Sequence, residues 1–112
     1  MSRLLPARVL ATALLRRAND SGGMALVLAR GDADAGMILI VTCEKGSDYK
    51  CLEQSSDLDG RAVLRPVGPM DGDLQAITDY WQRRRARDPD LWVIELDIAQ
   101  AERFAAETMT IY

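Results

Sequence analysis

There is no histidine anywhere in the 112 residues. Without imidazole the chain has no Ser-His or Cys-His nucleophile pair, no His-bearing zinc site, and no side chain whose ordinary pKa lies near neutrality. Any enzyme built here would draw its acid and base from carboxylates, Lys, Tyr or a shifted Cys. Cysteine is nearly absent as well: Cys43 and Cys51 are the only two, and a zinc site would need two more soft ligands that the chain lacks. Aromatic residues make up 5%, so Trp81 and Trp92, at inward-facing helix and strand positions, are expected to be core rather than stacking platforms. No run approaches the ~20 apolar residues that span a bilayer.

What is there describes one globular domain, residues 1–112. A hydrophobic content of 48% is too high for disorder, and a chain of this length buries roughly two-thirds of its unfolded surface. The formal net charge of −3 argues against a dedicated nucleic-acid binder, whose affinity comes from Lys and Arg neutralising phosphates. The segment Met1 to Leu15 is rich in Arg, but Pro6 and Arg8 interrupt what would be a signal-peptide core. It reads better as a first helix, and the expected location is the cytoplasm, where both thiols stay free.

Periodicity supplies the elements. Pro6 suits a first helical turn, and Leu10, Ala13, Leu14 and Ala18 recur on one stripe until Gly22-Gly23. Met24 to Arg30 and Met37 to Cys43 are apolar runs read as a central hairpin, with Lys45 to Asp48 as a second turn. A loop over Gly46, Ser47 and Asp48 would place Cys43 opposite Cys51. Tyr49 to Gln54 is a third strand, Ser55 to Gly60 a third turn, and Arg61 to Arg65 a fourth strand stopped by Pro66. Asp73 is placed to cap a helix burying Leu74, Ile77 and Trp81 and ending at Asp88-Pro89. Leu91 to Asp97 alternates, with one face expected in the core and the other partly wet. Ala99 to Glu107 suits a short helix, and Thr108 to Tyr112 carries no clear signal. The expected class is α+β: an antiparallel sheet of four to five strands with helices mainly on one face.

Four Asp-x-Asp pairs mark the breaks in periodicity: Asp32/Asp34, Asp57/Asp59, Asp71/Asp73 and Asp88/Asp90. Paired carboxylates suggest Ca²⁺ or Mg²⁺, but counting from Asp32 puts Gly36, Met37 and Cys43 where an EF-hand needs a ligand, Gly and Glu. Asp as an ordinary turn former is the better reading, and no metal, cofactor or catalytic residue is assigned. The Arg-Gly-Asp at 30 to 32 is a chance match to an adhesion motif. In Arg83-Arg84-Arg85-Ala86-Arg87 the guanidinium groups step by about 100° per residue and point several ways, so a solvated helix end with an Asp79 to Arg83 ion pair outweighs a nucleic-acid stripe.

RGDADAG between two apolar strands, LLRRAN late in the first helix and DPDLWVIEL near the C-terminus together resemble an uncharacterised bacterial family, domain of unknown function 1491. The resemblance runs from about Leu14 to Asp97 and implies a small single-domain protein with no activity to carry over. The expected function is a non-enzymatic binding or assembly module. RGDADAG and DPDLW would form its polar patch, with Arg30, Asp32, Asp34, Arg84, Arg87, Asp88 and Asp90 as binding residues and the arginines neutralising the carboxylates. The rival is a carboxylate-based or metal-assisted hydrolase using Asp32, Asp34, Asp88, Asp90 or Glu95. Partners fit a protein, a small molecule or a second copy; a membrane and nucleic acid do not.

Overall fold

The computed structural model describes residues 5–56, 58–59, 62–70 and 73–111. Asp57 and Asp71, the first members of their pairs, Arg61, the first residue of the fourth expected strand, and the terminal Tyr112 lie outside them. In chain order the elements are α1 (Ala7–Asp20), β1 (Met24–Ala29), β2 (Ile38–Glu44), β3 (Ser47–Ser56), β4 (Ala62–Val67), α2 (Leu74–Arg87), β5 (Trp92–Asp97) and α3 (Ala101–Ile111). No helix among the described residues is long and apolar enough to cross a membrane.

The sheet is five-stranded in the order β1-β5-β2-β3-β4. The expected β1/β2 hairpin does not form. β5 lies between them, antiparallel to β1 and parallel to β2, so the sheet is mixed rather than antiparallel. The physical reason lies in β5 itself. Leu91, Trp92, Val93 and Ile94 are a continuous apolar run, all 0–2% exposed, and a strand buried on both faces belongs in the middle of a covered sheet.

Both faces of that sheet carry helices, two on one and one on the other, where the expectation put them mainly on one. Leu10, Leu14 and Ala18 of α1 and Ala105 and Met109 of α3 pack on Ile38, Ile40, Leu52, Ile94 and Leu96. On the other face Ile77, Tyr80 and Trp81 of α2 pack on Leu39, Val41, Cys51, Leu91 and Val93. Leu74, expected on the buried side of α2, is exposed. The cap of α2 forms as the spacing predicts, with the Ala76 N–H donating to Asp73 Oδ1 at 2.9 Å. Asp79 accepts from the Gln75 amide at 2.9 Å, one helical turn N-terminal to it. β4 continues through Pro66 to Val67, because an edge strand tolerates a residue without N–H.

The β2–β3 turn is tighter than a three-residue loop. Lys45 and Gly46 both have positive φ, 52° and 73°, which gives the mirror-image turn that matches strand twist. The register then slips between Thr42 and Glu44, with Asp48 in the left-handed region. Cys51 consequently faces Val41, not Cys43. Both cysteines are free and buried. Burial, with Asp97 and Glu95 adding negative charge, pushes the Cys43 thiol up to about 11. Burial alone does the same for Cys51, also to about 11, so neither is a thiolate nucleophile at neutral pH.

Candidate functional site

RGDADAG and DPDLW meet at one end of the sheet because β1 runs into that end and β5 starts from it. The Asp32 N–H donates to the Asp90 carbonyl at 3.0 Å, and the Trp92 N–H donates to the Met37 carbonyl at 2.8 Å. The Trp92 indole N–H donates to the Asp32 carbonyl at 2.7 Å, while the Arg30 guanidinium lies 5.2 Å above the same ring. The tryptophan is therefore core on its body and polar at its tip.

The aspartates serve two roles. Asp32 Oδ2 accepts the N–H groups of Asp34 and Ala35 at 3.1 and 2.7 Å, and Asp88 Oδ1 accepts that of Asp90 at 3.1 Å. Each is the first member of its pair folding the backbone of its own turn. Asp34 and Asp90 remain exposed. Asp34 Oδ1 is 3.9 Å from Arg8 Nε, with both side chains mostly in water, a separation and setting worth little. Among the described residues no group of three Cys, Asp or Glu side chains is placed to hold a metal ion.

The arginines do not neutralise these carboxylates as expected. Arg87 is exposed at the end of α2. Arg84 turns to β3, where it donates to Glu53 and, at 3.0 Å, to the Tyr80 hydroxyl. Glu53 also accepts from Arg65 of β4 at 3.1 Å, so one carboxylate ties α2 to two strands. Arg85, which the sequence did not single out, is the α2 residue that reaches the motif end: its Nη2 donates to the Arg30 carbonyl at 2.6 Å, and its Nε is buried without a partner among the described residues. Its role depends on the phase of α2 over the sheet, which no local pattern encodes.

Burial raises the pKa of Glu53, but the hydrogen bonds from Arg84 and Arg65 outweigh it and hold the carboxyl below its ordinary 4.5. A depressed carboxylate contributes stability that is complete above its unfolded pKa and disappears as pH falls through the folded value. Glu53→Gln is expected to cost about 1–2 kcal/mol at pH 7 and to flatten the acid limb of a denaturation profile below pH 4.5. Equal acid sensitivity of the variant and the parent protein, followed by urea titration at several pH values, would refute this assignment.

A concave region lies at the opposite end of the sheet, a cleft of about 940 Å³. Thr42, Glu44, Lys50, Gln100, Glu102 and Arg103 line it. The non-glycine residues with positive φ among those described, Lys45, Asp48 and Gln100, all adjoin it. Sequence reading missed this cleft, since it joins the β2–β3 turn to the start of α3. Its lining carries both signs of charge and is no more apolar than polar, whereas most small-molecule pockets are predominantly hydrophobic.

Three solved structures have the same fold. A crystal structure of a DUF1491 family protein from Caulobacter crescentus is 26% identical, covering 91% of this chain and 94% of that one with a TM-score of 0.79. An NMR structure of a DUF1491 family protein from C. crescentus is 28% identical over 86% and 87%, at 0.72. A solution structure of a protein from A. tumefaciens, 23% identical over 86% and 87%, matches at 0.69 and shows the fold alone. No curated protein matches the chain. The family model for DUF1491, a protein of unknown function, matches residues 5–106, and the chain belongs to that family.

Proposed function

We propose that this protein is a small, non-enzymatic binding module of the cytoplasm whose contact surface is the end formed by residues 30–36 and 88–92. The observation that carries the reading is the division of labour at that end. The Asp32 and Asp88 carboxylates fold their own turns, the bonds from the Asp32 N–H to the Asp90 carbonyl and from the Trp92 indole to the Asp32 carbonyl hold the two segments together, and Arg30, Asp34, Arg87 and Asp90 stand exposed on the frame so made. Ordering entropy is already met by the fold, so a partner of complementary mixed charge binds without further cost on this side. The absence of histidine and the raised thiols support binding over catalysis, and two free cysteines suit a reducing compartment.

The test is a triple charge reversal, Asp34→Arg, Arg87→Glu and Asp90→Arg, used as bait beside the parent protein and a control with Glu102→Arg and Arg103→Glu on α3. A protein captured by the parent and the control, and lost at least ~10-fold with the triple variant, is the expected result. Capture indifferent to the triple variant would remove this end of the sheet as the contact surface.

A further inference from the structure

The two edges of the sheet are built differently. β4 guards its outer edge with Arg65 and Pro66, the charge and the missing donor that discourage edge-to-edge pairing. β1 reads Met24-Ala25-Leu26-Val27-Leu28-Ala29, with neither a charge nor a proline. Among the described residues its only strand partner is β5. Met24 and Leu26, two residues apart and so on one face, are 69% and 55% exposed, because α2 packs farther along the sheet over β3. The register slip between Val27 and Ala29 leaves Met24 to Val27 as the regular stretch of the open edge.

We propose that two copies of this chain join through β1, paired antiparallel across a two-fold axis perpendicular to the sheet, so that the two sheets become one of ten strands. Such an axis keeps the faces of both copies together and pairs residues of like parity. Centred on Leu26, it sets Leu26 on its counterpart, Met24 on Leu28 and Ala25 on Val27, and places Arg30 opposite Gly22.

Charge selects a second copy as the occupant. Arg30 follows the C-terminal end of β1, is exposed, and lies over Trp92, on the face that α1 covers. Asp20 ends α1 just ahead of β1 and is exposed on that same face. Neither forms an ion pair among the described residues. Antiparallel pairing carries the Arg30 of each copy to the Asp20 of the other, at a helix C-terminus where a cation is favoured, whereas parallel pairing sets Arg30 beside Arg30. The position between them is open: a Cβ at Gly22 would meet nothing within 4 Å. This surface shares Arg30 with the contact end proposed above but does not use Asp34, Arg87 or Asp90, the residues reversed in that test, so the two are tested separately.

Sedimentation equilibrium decides the matter. The parent protein is expected to dimerise with a dissociation constant in the range of roughly 1–100 µM, in keeping with a small interface. Leu26→Lys, verified as folded by circular dichroism, weakens this by ~100-fold or more. Arg30→Asp weakens it ~10-fold and Arg30→Asp combined with Asp20→Arg restores it. Leu26→Cys cross-links to itself on mild oxidation, whereas Leu74→Cys, exposed on α2, does not. A monomer at 1 mM, a dimer unaffected by Leu26→Lys, or an edge that takes up an extended peptide from another protein while the chain stays monomeric would each overturn the proposal.

Discussion

Gly31→Ala is expected to lower stability by about 3–5 kcal/mol, enough to unfold a marginal domain at physiological temperature. The reason is steric, not conformational. A Cβ at Gly31 would lie 2.0 Å from the Asp90 carbonyl oxygen and 2.6 Å from its carbon, and one at Gly36 would lie 2.2 Å from the same oxygen. These obstacles are backbone atoms just ahead of the interior strand β5, so no side chain can rotate away. The turn would have to withdraw, breaking the Asp32 N–H bond to Asp90 and the indole bond to Asp32. Gly46→Ala is the control: its Cβ would meet nothing within 4 Å, and only its φ of +73° opposes alanine, at about 1 kcal/mol. Thermal melts should separate the two variants, with Gly31→Ala lower by roughly 10–20 °C. A Gly31→Ala protein within 1 kcal/mol of the parent by urea unfolding would mean that the turn does not rest on the Asp90 peptide.

That contact shows what a single sequence could and could not disclose. The polar turns were legible because Asp, Gly and Pro act locally, and Asp32, Asp73 and Asp88 each bond backbone N–H groups within three residues. Helix α1 was legible through its stripe, and α3 only in part, since its last turn continues to Ile111. Strand order was not legible, because neighbouring in sequence is weak evidence for pairing when the connection is long. Residues 30–37 are ample to cross over β5, and nothing in β1 or β2 forbids a strand between them. The clue was in β5: unbroken apolarity from Leu91 to Ile94 signals burial on both faces, and the alternation beginning at Glu95 masked it. At the site, proximity of the two motifs followed from chain direction. The diversion of Arg84 to Glu53 and the reach of Arg85 to Arg30 depend on how α2 seats on β3.

The interior place of β5 makes the second large prediction, which asks whether its α2 face is dry at Val93, although Glu95 and Asp97 farther along that face are partly exposed. Ile94 faces α1 and α3, and Val93 faces α2; each is 0% exposed. Ile94→Ala should cost about 2–5 kcal/mol through lost transfer energy and the cavity it leaves. Val93→Thr keeps the volume and the β-branched shape but buries a hydroxyl among Leu39, Val41, Leu91 and Ile77, at about 1–3 kcal/mol. On a partly wet face that hydroxyl would be hydrated and the substitution nearly silent. Val93→Thr therefore reports on the covering of the second face, while Ile94→Ala reports on the larger core. Urea unfolding of both, with m-values compared to the parent so that any change in compactness is seen, decides between the two pictures. A Val93→Thr protein as stable as the parent would mean that α2 does not seal its side of the sheet, and with it the seating that directs Arg84 and Arg85 would fall.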